Sequence, residues 1–420
     1  MNQHTAKKLT ADRLSEYSDK VFKKLISLPD IIFYLIPFVL LSAWLITVIA
    51  QGQIRTPQTY YLIQYVFTYD HGYVARGLFG EVLSWFVDIV TDEIIYRSII
   101  ALDFFLVITS SLCIGKVMTK AKQTPTVFPV VVFLCIFICF LPLSFDEFFI
   151  DVKLDKLVWC ITLLAVFLSG GKRSIWLVPV FCTLATVTNP VFVFISMFLI
   201  AIILLHKYFS GGFTVKNLII CILTYALIIF FSIYAIYSQQ VLGFENAEEM
   251  VSFYFSRYEK PLSEEIIARF GTDWIFDYFV SFADGFKVIF SQHIYELYVG
   301  PSTVFSLLWT GAPTTVLLSR FWLKALKAES DKFQKFIYFL CILIPFATIP
   351  VSCMSWEFAK YFGHTLIVEV GLVLYFITQD IPSFKQTIKQ TIAYMKANPF
   401  ITTLVASYIL TIIHRSPYDF

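Results

Sequence analysis

The sequence predicts an all-α, polytopic membrane protein of about 11 transmembrane helices, and three observations carry that expectation. Of 420 residues, 58% are hydrophobic and only 15% charged, with a mean hydropathy of +0.74. That is more apolar surface than a water-soluble core can hide. The apolar residues fall into successive runs of span-like length separated by short polar stretches. Finally, roughly two thirds of the 32 Lys and Arg fall on alternate connections, the bias expected of cytoplasmic loops.

Residues 1–30 form a basic cytoplasmic segment carrying Lys7, Lys8, Arg13, Lys20, Lys23 and Lys24. The first span, 31–51, lacks a small-residue cleavage pattern and is expected to remain as an anchor. It delivers an outer loop, 52–93, containing TYDHGYVARGLFGE. Two short amphipathic helices, 57–67 and 78–90, flank that stretch. Each is too short to cross a bilayer, so both are expected to lie at the interface. The second span, 94–115, returns to Lys116, Lys120 and Lys122. A third, 125–142, leads to the outer loop LSFDEFFIDVK, and a fourth, 154–168, returns to Lys172 and Arg173. Residues 175–187 and 191–205, broken at Asn189-Pro190, are either two thin spans or a re-entrant hairpin. The span 217–237 completes an N-terminal membrane module, 31–237, and opens an acidic outer segment, 238–300, expected to form helices packed on the membrane part. In the C-terminal module, 301–420, spans are expected at 301–319, 336–351, 361–378 and 401–413, with Lys385, Lys389 and Lys396 on an inner loop. The N-terminus is then inside and the C-terminus outside.

The eight cysteines sit within or beside apolar runs, with no CxxC and no Cys/His cluster, and read as small packing residues. There is no P-loop, no HExxH and no globular cytoplasmic domain for a nucleotide sugar. Nothing points to nucleic acid. No cofactor is expected: the acidic outer loops offer oxygens to a divalent ion, but no ligand spacing demands one.

Three mixed-charge groups are expected to converge on the outer face: Asp70, His71 and Arg76, with Glu81 in the same loop; Asp146, Glu147, Asp151 and Lys153; Trp356, Glu357 and Lys360. Charges at membrane depth are costly unless paired or hydrated, so such groups imply a water-filled cleft. A carboxylate there can take a proton from an acceptor hydroxyl, while Arg or Lys stabilises a phosphate leaving group. Each group also has a plainer reading. Asp70-His71-Gly72 is a turn sequence, 146–151 suits a solvated acidic loop, and Glu357 and Lys360 are spaced to pair on a helix. Asp155 and Lys156 read as the polar boundary of the fourth span. Asp103, His364 and Glu369 fall inside apolar runs and serve either structural hydrogen bonds or a proton relay.

This layout resembles the GT-C superfamily of membrane glycosyltransferases, which use polyprenyl-phosphate sugars at the outer membrane face. The shared features are a first outer loop with two interfacial helices and an acidic residue, a short acidic second outer loop and a larger late outer segment. Size and the modest outer segment are similar to phage-type serotype-converting glucosyltransferases that decorate O-antigen lipopolysaccharide. The resemblance implies a polyprenyl-phosphate-linked sugar, a glycan acceptor and membrane lipid as partners in the bacterial inner membrane. It assigns acceptor activation to Asp70 and the donor phosphate to Arg76, Lys153 and Lys360. Beside the resemblance, the charged groups themselves supply Asp146 and Glu147 as further candidate catalytic carboxylates and His71, Glu81, Asp151, Trp356 and Glu357 as candidate substrate contacts. His71 stands where some GT-C first loops place a second carboxylate. The competing readings are a polysaccharide polymerase or ligase, which would favour an arginine-rich large loop, and a transporter or flippase, which would favour buried mid-membrane polar residues.

Overall fold

The computed structural model describes residues 20–54, 59–71, 77–125, 127–139, 155–171, 173–189, 192–193, 195–210, 214–237, 243–245, 247–263, 312–347 and 358–413. Among these the structure is all-helical apart from one isolated β-bridge, Val90 with Tyr258. The helices are α1 (Asp30–Ala50), α2 (Thr59–Val66), α3 (Leu78–Ser84), α4 (Asp92–Ala121), α5 (Phe128–Cys139), α6 (Asp155–Leu168), α7 (Val178–Thr188), α8 (Met197–Phe209), α9 (Val215–Tyr237), α10 (Ala247–Phe255), α11 (Ala312–Ala328), α12 (Lys332–Ala347), α13 (Phe358–Ile377), α14 (Pro382–Ala397) and α15 (Pro399–Ile413).

Two of them, α1 and α4, are long and apolar enough to cross a membrane; α13 and α14 together pass the same test but are bent by 114° at their junction. That is fewer than the eleven spans expected. Several of the other apolar helices are shorter than a bilayer crossing requires. The bend falls at Asp380, whose φ of 60° is left-handed, and Pro382 then opens α14 in its first turn. Residues 382–397 had been expected as an inner loop. They form an amphipathic helix instead, because Phe384, Thr387 and Ile388 are buried on one face while the lysines stay outside it. Of the expected span 301–319, residues 301–311 lie outside the described residues; the described helix, α11, continues past the expected end through Arg320, Lys324 and Lys327, with Trp322 and Ala325 buried.

The 30-residue helix α4 is the axis of the molecule, about 45 Å long at 1.5 Å per residue. Thr91 caps its first turn by accepting from the Ile94 amide at 3.2 Å. Asp92 and Glu93 at the start and Lys120 at the end match the helix dipole. Against it lies α1, burying Phe33, Pro37, Leu41, Leu45 and Val48, a stripe at three- and four-residue spacing. The opposite face of α1 exposes Ile31, Leu35, Phe38, Val39, Trp44 and Ile46. Helix α9 likewise exposes Ile219, Ile222, Leu223, Phe230 and Ile233. Apolar faces of that extent suit lipid rather than water.

Close approach of α1 and α4 depends on Gly115, where an added Cβ would come within 2.8 Å of the Tyr34 Cα. Backbone cannot swing away as a side-chain end can. Gly115→Ala is therefore expected to destabilise the α1–α4 pair by about 1–3 kcal/mol through overpacking. The check is the thermal midpoint of detergent-purified protein, and an unchanged midpoint would contradict this packing.

The ends of the bundle differ in charge. At one end Lys122 reaches Asp30 and the Leu28 carbonyl, each at 2.7 Å, and Lys116, Lys120 and Lys207 gather nearby. At the other lie Asp70, Glu81, Asp92 and Glu259. The described ends of this apolar bundle thus differ in the sign of the charge they gather.

Candidate functional site

The acidic end is organised by the loop between α2 and α3. Helix α2 was expected to lie flat at the interface, but its second half is enclosed: Leu62, Ile63, Tyr65, Val66 and Phe67 are buried, as is Gln64. They pack with Ile95, Ile99 and Leu102 of α4 and with Met250, Val251, Tyr254 and Phe255 of α10. The acidic outer segment thus folds, in its described part, onto the first outer loop. Helix α3 ends at Ser84 rather than running to 90, and Trp85, Phe86 and Ile89 beyond it are exposed, as interfacial anchors are.

Polar contacts then hold the loop. Glu81 accepts from the Tyr69 amide at 2.9 Å and from the Trp85 indole at 3.2 Å, so both its oxygens are engaged inside the loop. Tyr254 donates to the Thr68 carbonyl at 3.2 Å. Burial, with the Asp70 and Glu81 carboxylates nearby, pushes the Tyr254 hydroxyl up to about 12, so it remains a donor at every physiological pH. Burial raises Tyr69 in the same direction, with Glu81 adding to it.

Asp70 is the product of this arrangement. Its Oδ2 accepts from the Thr68 hydroxyl at 2.5 Å while the residue itself is exposed. His71 beside it sits between rings, 4.6 Å from Phe244 and edge-on to Phe253 at 4.6 Å. A carboxylate that is solvent-accessible and fixed by a neighbour is positioned to take a proton.

Sequence spacing gave no sign of Arg257 and Tyr254, which lock the loop from far along the chain. Arg257 donates to the Val66 carbonyl at 3.1 Å and to the Val87 carbonyl at 3.4 Å. Beside it the bridge closes, with the Val90 amide on the Arg257 carbonyl at 2.7 Å and the Glu259 amide on the Val90 carbonyl at 3.0 Å. Glu259 then accepts from the Asp92 amide at 2.9 Å, and Asp92 takes Tyr258 and Lys260. Removing the guanidinium in Arg257→Ala strands two carbonyls at a cost of about 2 kcal/mol. Amide exchange across 247–258 is expected to rise roughly thirtyfold, and unaltered exchange would show that the apolar packing alone holds this segment.

A second polar level lies deeper. Lys156 of α6 and Asp103 of α4 form an ion pair at 2.6 Å with side chains 1% and 0% exposed. The reading of Lys156 as a span boundary is corrected here: it is a core residue. Next to it the Asn189 amide donates to Asp155 at 2.9 Å. Asp103 stands about 16 Å along α4 from Asp92. Of 175–205 the structure describes α7 and α8, each shorter than a bilayer crossing requires. His364 meets Trp159 edge-on at 5.5 Å, and Glu369 accepts from the Trp322 indole at 2.5 Å, so Glu369 has a structural bond.

The chain matches no protein-family model, no curated protein and no solved structure. Its site is therefore read from its own residues. Asp70, His71 and Glu81 are brought together. Arg76, Asp146, Glu147, Asp151, Lys153, Trp356 and Glu357 lie outside the described residues, and of Lys360 only its place in the first turn of α13 is described. Among the described residues no three His, Cys, Asp or Glu converge as metal ligands.

Proposed function

We propose that the chain is a membrane glycosyltransferase that moves a sugar, a hexose such as glucose, from a polyprenyl-phosphate donor to a cell-surface glycan such as O-antigen. In this reading it crosses the bacterial cytoplasmic membrane about eleven times, short or broken helices included, with its N-terminus inside. The observation that carries the proposal is Asp70: an exposed carboxylate held by Thr68 at the acidic end of an apolar bundle, on a loop clamped by Glu81, Tyr254 and Arg257.

In the proposed reaction Asp70 takes the proton of the acceptor hydroxyl as its oxygen bonds to the sugar's anomeric carbon. The bond from that carbon to the phosphate oxygen breaks, and the electron pair leaves with polyprenyl phosphate. Arg76, Lys153 and Lys360 are assigned to the negative charge that develops there. Asp146 and Glu147 are assigned as further acid–base groups, and His71, Asp151, Trp356 and Glu357 as sugar contacts. Glu81 serves the site by holding the loop.

The test is expression in a polysaccharide-producing host followed by mass spectrometry of the surface glycan. Addition of one hexose-sized unit per acceptor is expected, and altered chain length would replace this reading by a polymerase. A transporter is the second reading, favoured by the Asp103–Lys156 pair partway along α4. It predicts passage of a solute with no glycosidic bond formed.

A further inference from the structure

A cavity of about 140 Å³ lies between α4, α6, α8 and α13, on the side of the bundle where the lysines gather. Its walls are apolar, formed by residues such as Leu106, Ile114, Trp159, Leu163, Val166 and Ile203. Its rim carries Lys116 and Lys120 of α4 and Lys207 of α8, with Thr378 and Gln379 following α13, and no carboxylate is among the residues that line it. The three ammonium groups lie within electrostatic range of one another. Like charges gathered at an apolar opening repel unless an anion joins them.

Helix capping explains part of this cluster. Lys116 donates to the Phe167 carbonyl and Lys207 to the Ser169 carbonyl, both at the end of α6, where bare carbonyls attract cations. Capping leaves Lys120 over, because it is exposed and makes no hydrogen bond or ion pair among the described residues. It also leaves the cavity itself, whose wall deeper along α4 includes Leu106 and Ser110.

We infer that this cavity binds one anionic phospholipid of the adjoining leaflet, its phosphate among Lys116, Lys120 and Lys207 and an acyl chain along the apolar walls toward Ser110. Charge complementarity selects the headgroup, since three cations with no facing carboxylate discriminate against a zwitterion. The apolar walls select a chain-bearing anion over a free one. The site is at the opposite end from Asp70 and does not rest on the transferase reading.

Native mass spectrometry of the purified full chain, titrated with phosphatidylglycerol and with phosphatidylcholine of the same chains, tests the proposal. One phosphatidylglycerol is expected to bind at least about tenfold more tightly than phosphatidylcholine. Lys120→Gln should lower that affinity about fivefold, the effect of one charge near a phosphate, and leave phosphatidylcholine unchanged. Lys120 is the variant of choice because its ammonium makes no hydrogen bond or ion pair among the described residues, and its place at the exposed end of α4 limits the loss of helix-dipole interaction to a fraction of a kcal/mol. Filling the cavity with Ser110→Leu should weaken both lipids, and the Lys120→Gln comparison remains decisive if that variant does not fold. Equal affinity for the two lipids would overturn the proposal. So would displacement of phosphatidylglycerol by inorganic phosphate at equal concentration, which would define a small-anion site instead.

Discussion

Lys156→Met should unfold a large fraction of the protein, at a cost of about 3–5 kcal/mol. Methionine nearly matches the lysine stem in volume, so the loss is not one of packing. It comes from Asp103, which keeps its carboxylate inside α4 with the ammonium at 2.6 Å gone. Water does not reach that carboxylate, whose residue is 0% exposed. The double variant Asp103→Leu with Lys156→Met removes both charges, and most of the lost stability is expected to return, since an apolar pair of similar volume replaces an ion pair at little or no cost. Thermal unfolding in detergent, followed by size-exclusion elution, reads both proteins. A single variant as stable as wild type would mean that the pair contributes nothing and that the charges are solvated in the membrane. A double variant as unstable as the single would locate the loss in packing around Trp159 and Cys160 instead.

This pair also shows where sequence reading stops. Asp103 and Lys156 are separated by 53 positions, and each alone reads as a polar residue in or beside an apolar run. Only the crossing of α4 and α6 makes them partners. Helices with sharp polar flanks were legible: α1, α6 and α9 begin and end within two residues of the expected apolar runs, because such runs bounded by charges favour a helix on composition alone, and of the three α1 is long and apolar enough over its described residues to cross a membrane. The second span extends past its apolar core to Asp92 and Ala121, carried by the Thr91 cap at one end and Lys120 at the other. Helix α14 was hidden by its lysines, which in a hydropathy profile look like a loop, although Phe384 and Ile388 carry helical spacing. Within the site, Asp70 and Glu81 were found because one short loop holds both. Tyr254 and Arg257 come from a segment more than 180 positions away, and nothing in their local sequence signals what they hold.

The remaining consequence concerns Asp70. In Asp70→Asn the shape and the Thr68 contact are preserved, since an amide oxygen also accepts from a hydroxyl, but the side chain no longer takes a proton. If transfer proceeds through that carboxylate, the rate should fall by at least about 10²-fold, within the usual range for a lost general base. The readout is the release of polyprenyl phosphate from a polyprenyl-phosphate hexose by membranes containing equal amounts of each protein. Thr68→Val tests positioning separately. It leaves the carboxylate but removes its 2.5 Å partner, so a fall of about tenfold in kcat with KM little changed is expected. Glu81→Gln should retain most activity, because the amide oxygen still accepts from the Tyr69 amide and the Trp85 contact is only 3.2 Å long. The order of these three effects matters more than any one of them. A base that is held by one neighbour on a loop clamped by another must lose most when its own proton affinity is removed and least when the clamp is conservatively altered. Equal losses in all three would instead identify the loop's fold, and not Asp70, as what transfer requires. Full activity in Asp70→Asn would move the chemistry to Asp146 and Glu147.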